Sequence, residues 1–171
     1  MRGNGSASSC ECIRLALINK SSNIDLSAAL TAYGESCENA DWDLIRSYLF
    51  YEKYPLCVGF AIGLIVRMRE DGEGFWERVV EIAEGLPWDT DEEARTQAVS
   101  NIGDGPKSLK DMFRRPLRIT FLDSDNILKD VAAKSAWMLI SPETWVRRRI
   151  KGDGKLLENA PEEVVQWLLS T

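Results

Sequence analysis

Ser135-Ala136-Trp137-Met138-Leu139-Ile140 is the stretch on which the fold turns, because the chain carries two earlier versions of it. They are Phe60-Ala61-Ile62-Gly63-Leu64-Ile65 and Gln97-Ala98-Val99-Ser100-Asn101-Ile102. In each, a small residue precedes a large apolar one, and isoleucine stands four positions after the small residue. Successive alanines are separated by 37 and 38 residues, and Cys57, Ala94 and Ala132 stand four positions before them. Small residues four apart make a smooth strip along one helix face, where a neighbouring helix can approach closely.

Each of these segments follows another apolar segment of helical period, over 44–51, 75–83 and 117–122. A helix pair recurring at this interval is the signature of a stacked solenoid. Working outward, pattern and punctuation predict helices over 24–36, 41–54, 56–70 and 75–84, with Gly34 weakening the end of the first. Pro55 is well placed to open the helix that follows it. Asp89 to Glu93 supplies a cap and first-turn acids for a helix ending at Ile102. Further helices are expected over 108–122, broken or kinked at Pro116, over 126–140, after Ser141-Pro142, and over 161–169. Ile119 to Leu122 is the best strand candidate and is too short to outweigh its helical surroundings. The expected fold class is therefore all-α, a short α-solenoid of about three helix pairs with flanking helices. Residues 1–9 read as a disordered tail and 10–171 as a single helical-repeat domain. An irregular helical bundle, its alanines in register by chance, is the competing reading.

The third unit, Pro116-Leu117-Arg118-Ile119-Thr120-Phe121-Leu122-Asp123-Ser124-Asp125 followed by Val131-Ala132-Ala133-Lys134-Ser135-Ala136-Trp137-Met138-Leu139, resembles a HEAT repeat. That family has an apolar first helix, an Asp-rich turn and an Ala-rich second helix containing leucine. The resemblance covers roughly residues 41–140, is looser in the second unit, and departs in the first, where Pro55 replaces the acidic turn. It implies that the second helix of each pair lines a concave binding face. With Ala94, Ala98 and Ile102 turned inward, Glu93, Gln97 and Ser100 face outward; the matching positions are Leu56, Phe60 and Gly63, then Val131, Ser135 and Met138. The partner-binding candidates are Phe60, Arg67, Glu93, Gln97, Lys134 and Met138, with Phe60 and Met138 forming an apolar strip. The competing reading is that a bordering helix covers them.

Chemistry finds little footing. The chain has no histidine, which removes the commonest general base and every Ser-His or Cys-His nucleophile pair. No nucleophile elbow, phosphate-cradling loop or dinucleotide fingerprint occurs. The Gly-acid clusters at 71–74, 103–105 and 152–154 lack the ligand spacing of a calcium loop and read as turns. Of the four cysteines, Cys10 and Cys12 fall in an expected frayed start, and Cys37 and Cys57 in or near apolar helices. They do not form a disulfide-scaffold pattern and read as incidental thiols; no cofactor and no metal are expected. The apolar run 56–66 is too short to span a bilayer, and a cytoplasmic protein is the default.

At 171 residues the chain can bury a continuous core. Its net charge of −6 argues against nucleic acid and is compatible with a basic protein partner. The basic runs Arg114-Arg115 with Arg118 and Arg147-Arg148-Arg149 with Lys151 read as solvated faces. Tyr48, Tyr51 and Tyr54, three apart, are expected along one side of a helix. The expected function is a non-enzymatic protein–protein binding module, one concrete form being a small acidic immunity protein that inhibits a toxin domain. Alternatives are a DNA-glycosylase-like HEAT protein acting on nucleic acid, or a structural subunit or adaptor of a larger assembly.

Overall fold

The computed structural model describes residues 7–51, 53–85, 92–122, 126–145 and 160–170. Among these residues the regular structure is all helical, with no strand. By packing, the chain divides into two compact units, residues 1–75 and 76–171.

The first unit contains α1 (Ala7–Ile18), α2 (Leu26–Ser36), α3 (Trp42–Ser47) with a 3-10 turn over Tyr48–Phe50, and α4 (Pro55–Met68). Asp25 starts α2 by accepting the amide hydrogens of Ser27 and Ala28 at 3.0 and 3.2 Å. Asp41 does the same for α3 through Leu44, at 3.1 Å. Both carboxylates satisfy amides that a helix N-terminus otherwise leaves without partners. Pro55 is the first residue of α4, and Arg69 ends that helix in the left-handed region with φ 58°.

The helix expected over 41–54 is cut short at Ser47. A residue before proline is driven out of the helical region, and Tyr54 accordingly takes φ −135°, ψ 78°. The three tyrosines consequently stack as a chain of rings instead of lining one helix. Tyr48 and Tyr51 meet edge-on at 5.5 Å, and Tyr51 and Tyr54 are 5.3 Å apart.

Helix α1 begins at Ala7, inside the expected tail. Its pattern was weak because it buries a single side chain, Leu17. Two cross-links hold it. The Tyr48 hydroxyl donates to the Leu17 carbonyl oxygen at 2.7 Å, and Cys10 forms a disulfide with Cys37, their Cα atoms 5.8 Å apart. The reading of these two cysteines as incidental thiols is therefore corrected: sequence spacing does not reveal that Cys10 lies beside the end of α2.

Helices α2 and α4 run in the same direction. Residues at the start of α2 share a cavity wall with the start of α4, Gly34 packs on Leu64, and Glu35 near the end of α2 pairs with Arg67. A Cβ on Gly34 would stand 2.6 Å from Leu64 Cδ2, so this glycine permits close approach. The Arg46 guanidinium closes the unit by donating to the Glu70 carbonyl oxygen at 3.2 and 3.0 Å. Leu30, Tyr33, Ile45, Val58, Ala61, Ile62 and Ile65 fill the interior.

The second unit contains α5 (Phe75–Ala83), α6 (Glu92–Ile102), a 3-10 turn (Lys107–Leu109), α7 (Lys110–Leu122), α8 (Asn126–Ile140) and α9 (Glu162–Leu169). Helix α5 starts at the boundary. Helix α7 continues through Pro116, where a break or kink was expected. It packs against α8, as does α6. Ser100 of α6 and Gly103, in the turn just past its end, meet Ser135 and Met138 of α8. Ala94, Ala98, Val99, Ile102, Ala132, Ala136 and Trp137 are buried. Trp137 meets Trp145 edge-on at 5.5 Å and donates from Nε1 to the Thr144 hydroxyl at 2.8 Å. The acidic residues 89–91, the basic run 147–151 and the Gly-acid cluster 152–154 lie outside the described residues.

Candidate functional site

On α4, Leu56 and Phe60 stand one turn apart and are 47% and 44% exposed. Gly63 is half-buried, and Arg67 continues the same face. Arg67 is not a free cation; it pairs with Glu35 of α2. At the other end of α4, a cavity of about 200 Å³ is walled by Ile24, Asp25, Ser27, Tyr54, Leu56 and Cys57, among others. Ile24 and Tyr54 are exposed as well. Ile24, Tyr54, Leu56 and Phe60 therefore lie along one apolar edge, which sequence reasoning found only at Leu56 and Phe60. Ile24 comes from the approach to α2, and the sequence does not show that α2 runs alongside α4.

The polar groups of this edge are built for structure. The hydroxyl of Ser27, followed by the amide of Ala28, holds the Asp25 carboxyl below its ordinary value. Burial, followed by the Asp25 charge, pushes the Cys57 thiol up to about 11, so it stays protonated and unreactive at neutral pH.

The remaining candidates belong to the second unit. Glu93 is exposed in the first turn of α6, and Gln97 is half-buried, its Nε2 donating to Glu93 Oε1 at 3.2 Å. Lys134 is half-buried, with Nζ 5.9 Å from the centre of the Trp145 ring. Met138 is also half-buried, because its sulfur packs against Gly103. Phe60 and Met138 thus differ in exposure. Ser135, expected to face outward, is wholly buried, and its hydroxyl donates to the Ser100 carbonyl oxygen at 3.4 Å. Gly103 lacks a side chain, and α8 approaches so closely there that the Ser135 position is sealed.

Two basic residues of α7 are also engaged. Arg114 donates to Asp111 at 3.2 Å and Arg115 to Glu84 at 3.3 Å. Among the described residues no group of three or more His, Cys, Asp or Glu side chains could hold a metal ion, and no helix is long and apolar enough to cross a membrane. A second cavity, of about 270 Å³, opens beside the Cys10–Cys37 disulfide and was not anticipated from sequence.

Comparison with known proteins finds no matching family model, no matching curated protein and no matching solved structure.

Proposed function

We propose that this chain is a non-enzymatic protein-binding module whose docking surface centres on the exposed apolar edge of α4. The carrying observation is that Leu56 and Phe60 remain nearly half exposed on a helix whose other apolar residues are mostly sealed. Large apolar side chains held on a rigid helix beside a cavity are anchors of the kind partners bury.

The HEAT-like arrangement is part of the same reading. It is supported by the same-direction packing of α2 with α4, by the close approach of the end of α6 to α8, and by the buried strip of small residues that recurs through α4, α6 and α8. The α1–α2 hairpin would add a pair ahead of the expected series. Glu93, Gln97, Lys134 and Met138 are the corresponding surface candidates of the second unit. The net charge of −6 favours a basic protein partner, and a small acidic inhibitor of a toxin domain is one concrete form. The cytoplasmic setting also belongs here, and the Cys10–Cys37 bond weighs against it, because disulfides persist chiefly in oxidising compartments.

The test is affinity capture by the wild-type protein and by a Leu56→Asp/Phe60→Asp variant shown by circular dichroism to be folded. A stoichiometric protein partner held by the wild type and lost by the variant is the expected result. Equal retention by both removes the α4 edge as the docking surface. Retention of nucleic acid alone points to the glycosylase-like alternative.

A further inference from the structure

Helices α1 and α2 form an antiparallel hairpin whose open end is closed by the Cys10–Cys37 disulfide. The closed end is anchored by burial of Leu17 and by the Tyr48 hydrogen bond to its carbonyl oxygen. Toward the open end, residues 7–14 of α1 include no fully buried side chain. The covalent bond is therefore placed where apolar packing on α1 is thinnest.

The bond is also approachable. The cavity of about 270 Å³ beside it is walled by both cysteines together with Glu11, Arg14, Tyr33 and Glu38, among others. Cys10 is half-buried, whereas Cys37 is nearly sealed. The wall thus places the Arg14 guanidinium, paired with Glu11 at 3.3 Å, and the Glu38 carboxylate around the half-buried Cys10. A small thiol carrying both an amino and a carboxylate group matches that mixture of charges.

We propose that Cys10–Cys37 is a reversible thiol-exchange site for a small zwitterionic thiol, and that exchange releases the first two turns of α1 from α2. The thiolate of the small molecule attacks Cys10 Sγ, and the Cys10–Cys37 bond breaks. The electron pair leaves on Cys37 Sγ, which takes a proton from solvent. A second small thiolate then attacks the small-molecule sulfur of the mixed disulfide, forming the small-molecule disulfide and freeing Cys10 as a thiol. Two small thiols are oxidised and one protein disulfide is reduced; the small-molecule disulfide runs the sequence backward. Cys12 lies about 200° around the helix from Cys10, away from Cys37, but its exposed thiol itself exchanges with the small-molecule disulfide, so the protein tested carries Cys12→Ser.

The experiment equilibrates the full chain with cysteine–cystine mixtures of graded ratio and quenches in acid. Thiols are then counted by maleimide labelling under denaturing conditions. Parallel samples are followed by amide hydrogen exchange. With Cys12 replaced, the count should rise from one, Cys57, to three. Over the same range, protection across residues 7–14 should fall about tenfold or more while that of α4 holds. Arg14→Ala should slow reduction by cysteine relative to reduction by the neutral thiol mercaptoethanol. A count fixed at one across the range overturns the proposal. So does loss of protection throughout α4, which would make the bond a requirement of the whole unit. Unchanged protection at 7–14 after reduction removes the release, and an Arg14→Ala rate profile identical to wild type removes the zwitterionic preference.

Discussion

Tyr48 and Cys57 sit inside the first unit and are held in their protonated forms chiefly by burial. The Tyr48 hydroxyl is pushed from 10.0 up to about 12, and the Cys57 thiol from 9.0 up to about 11. Both groups ionise more readily in the unfolded chain. Their contribution to stability is present in full below about pH 9 and is lost as pH rises through about 11 and 12. Urea-unfolding midpoints should therefore hold level to about pH 9 and then fall, and Cys57→Ala should make the first part of that fall shallower. A slope identical in wild type and variant would show that the thiol is not the titrating group. At this scale the sequence was informative where a residue's neighbours come from its own helix. The strip of Cys57, Ala61, Ala94, Ala98, Ala132 and Ala136 was legible and lies buried. Ser135 was misread because its burial depends on Gly103, in the turn after α6, and no local period records that approach.

The pairing of α2 with α4 rests on a shape match between Gly34 and Leu64. A methyl group on Gly34 would meet the Leu64 side chain at 2.6 Å, in an interior where Leu64 is 1% exposed. Gly34→Ala should destabilise the protein by about 1–3 kcal/mol through overpacking. Leu64→Ala alone should cost about 2–5 kcal/mol, for the lost burial and the space left behind. In the double variant the new methyl enters that space, so its cost should fall short of the sum of the two by at least about 0.5 kcal/mol in urea denaturation. Strict additivity would mean that the two helices are not in the contact described. In the sequence, Gly34 reads as weakening the end of a helix over 24–36; α2 ends at Ser36, and Gly34 is the point where α4 comes close. The helices over 24–36, 56–70 and 126–140 were legible because each has a strong apolar period and clear terminal signals. Helix α1 was not, since Leu15 and Ile18 are exposed and its attachment depends on a cysteine far along the chain.

Taken whole, the protein is acidic, and the proposed partner is basic. Association of the two should slow about tenfold between low and physiological salt, while dissociation changes little. Stopped-flow measurement at several ionic strengths checks this, and a salt-independent association rate would count against a basic partner. The all-helical class was legible in the sequence because it depends only on local periods and breaks. The division at residues 75 and 76 was not, since α5 straddles it and reads as one uninterrupted helix. The candidate site was half legible: Phe60 was found from helical spacing, while Ile24 and Tyr54 join it only through folding.

Trp137 and Trp145 hold their indole rings 5.5 Å apart and inclined at 67°. Two identical chromophores so close and so tilted share their electronic excitation, and the shared transition splits into a pair of circular-dichroism bands of opposite sign. The second unit therefore carries its own optical gauge. Its couplet reads the geometry of one pair of rings, and the signal fades when side-chain packing loosens even while the helices survive.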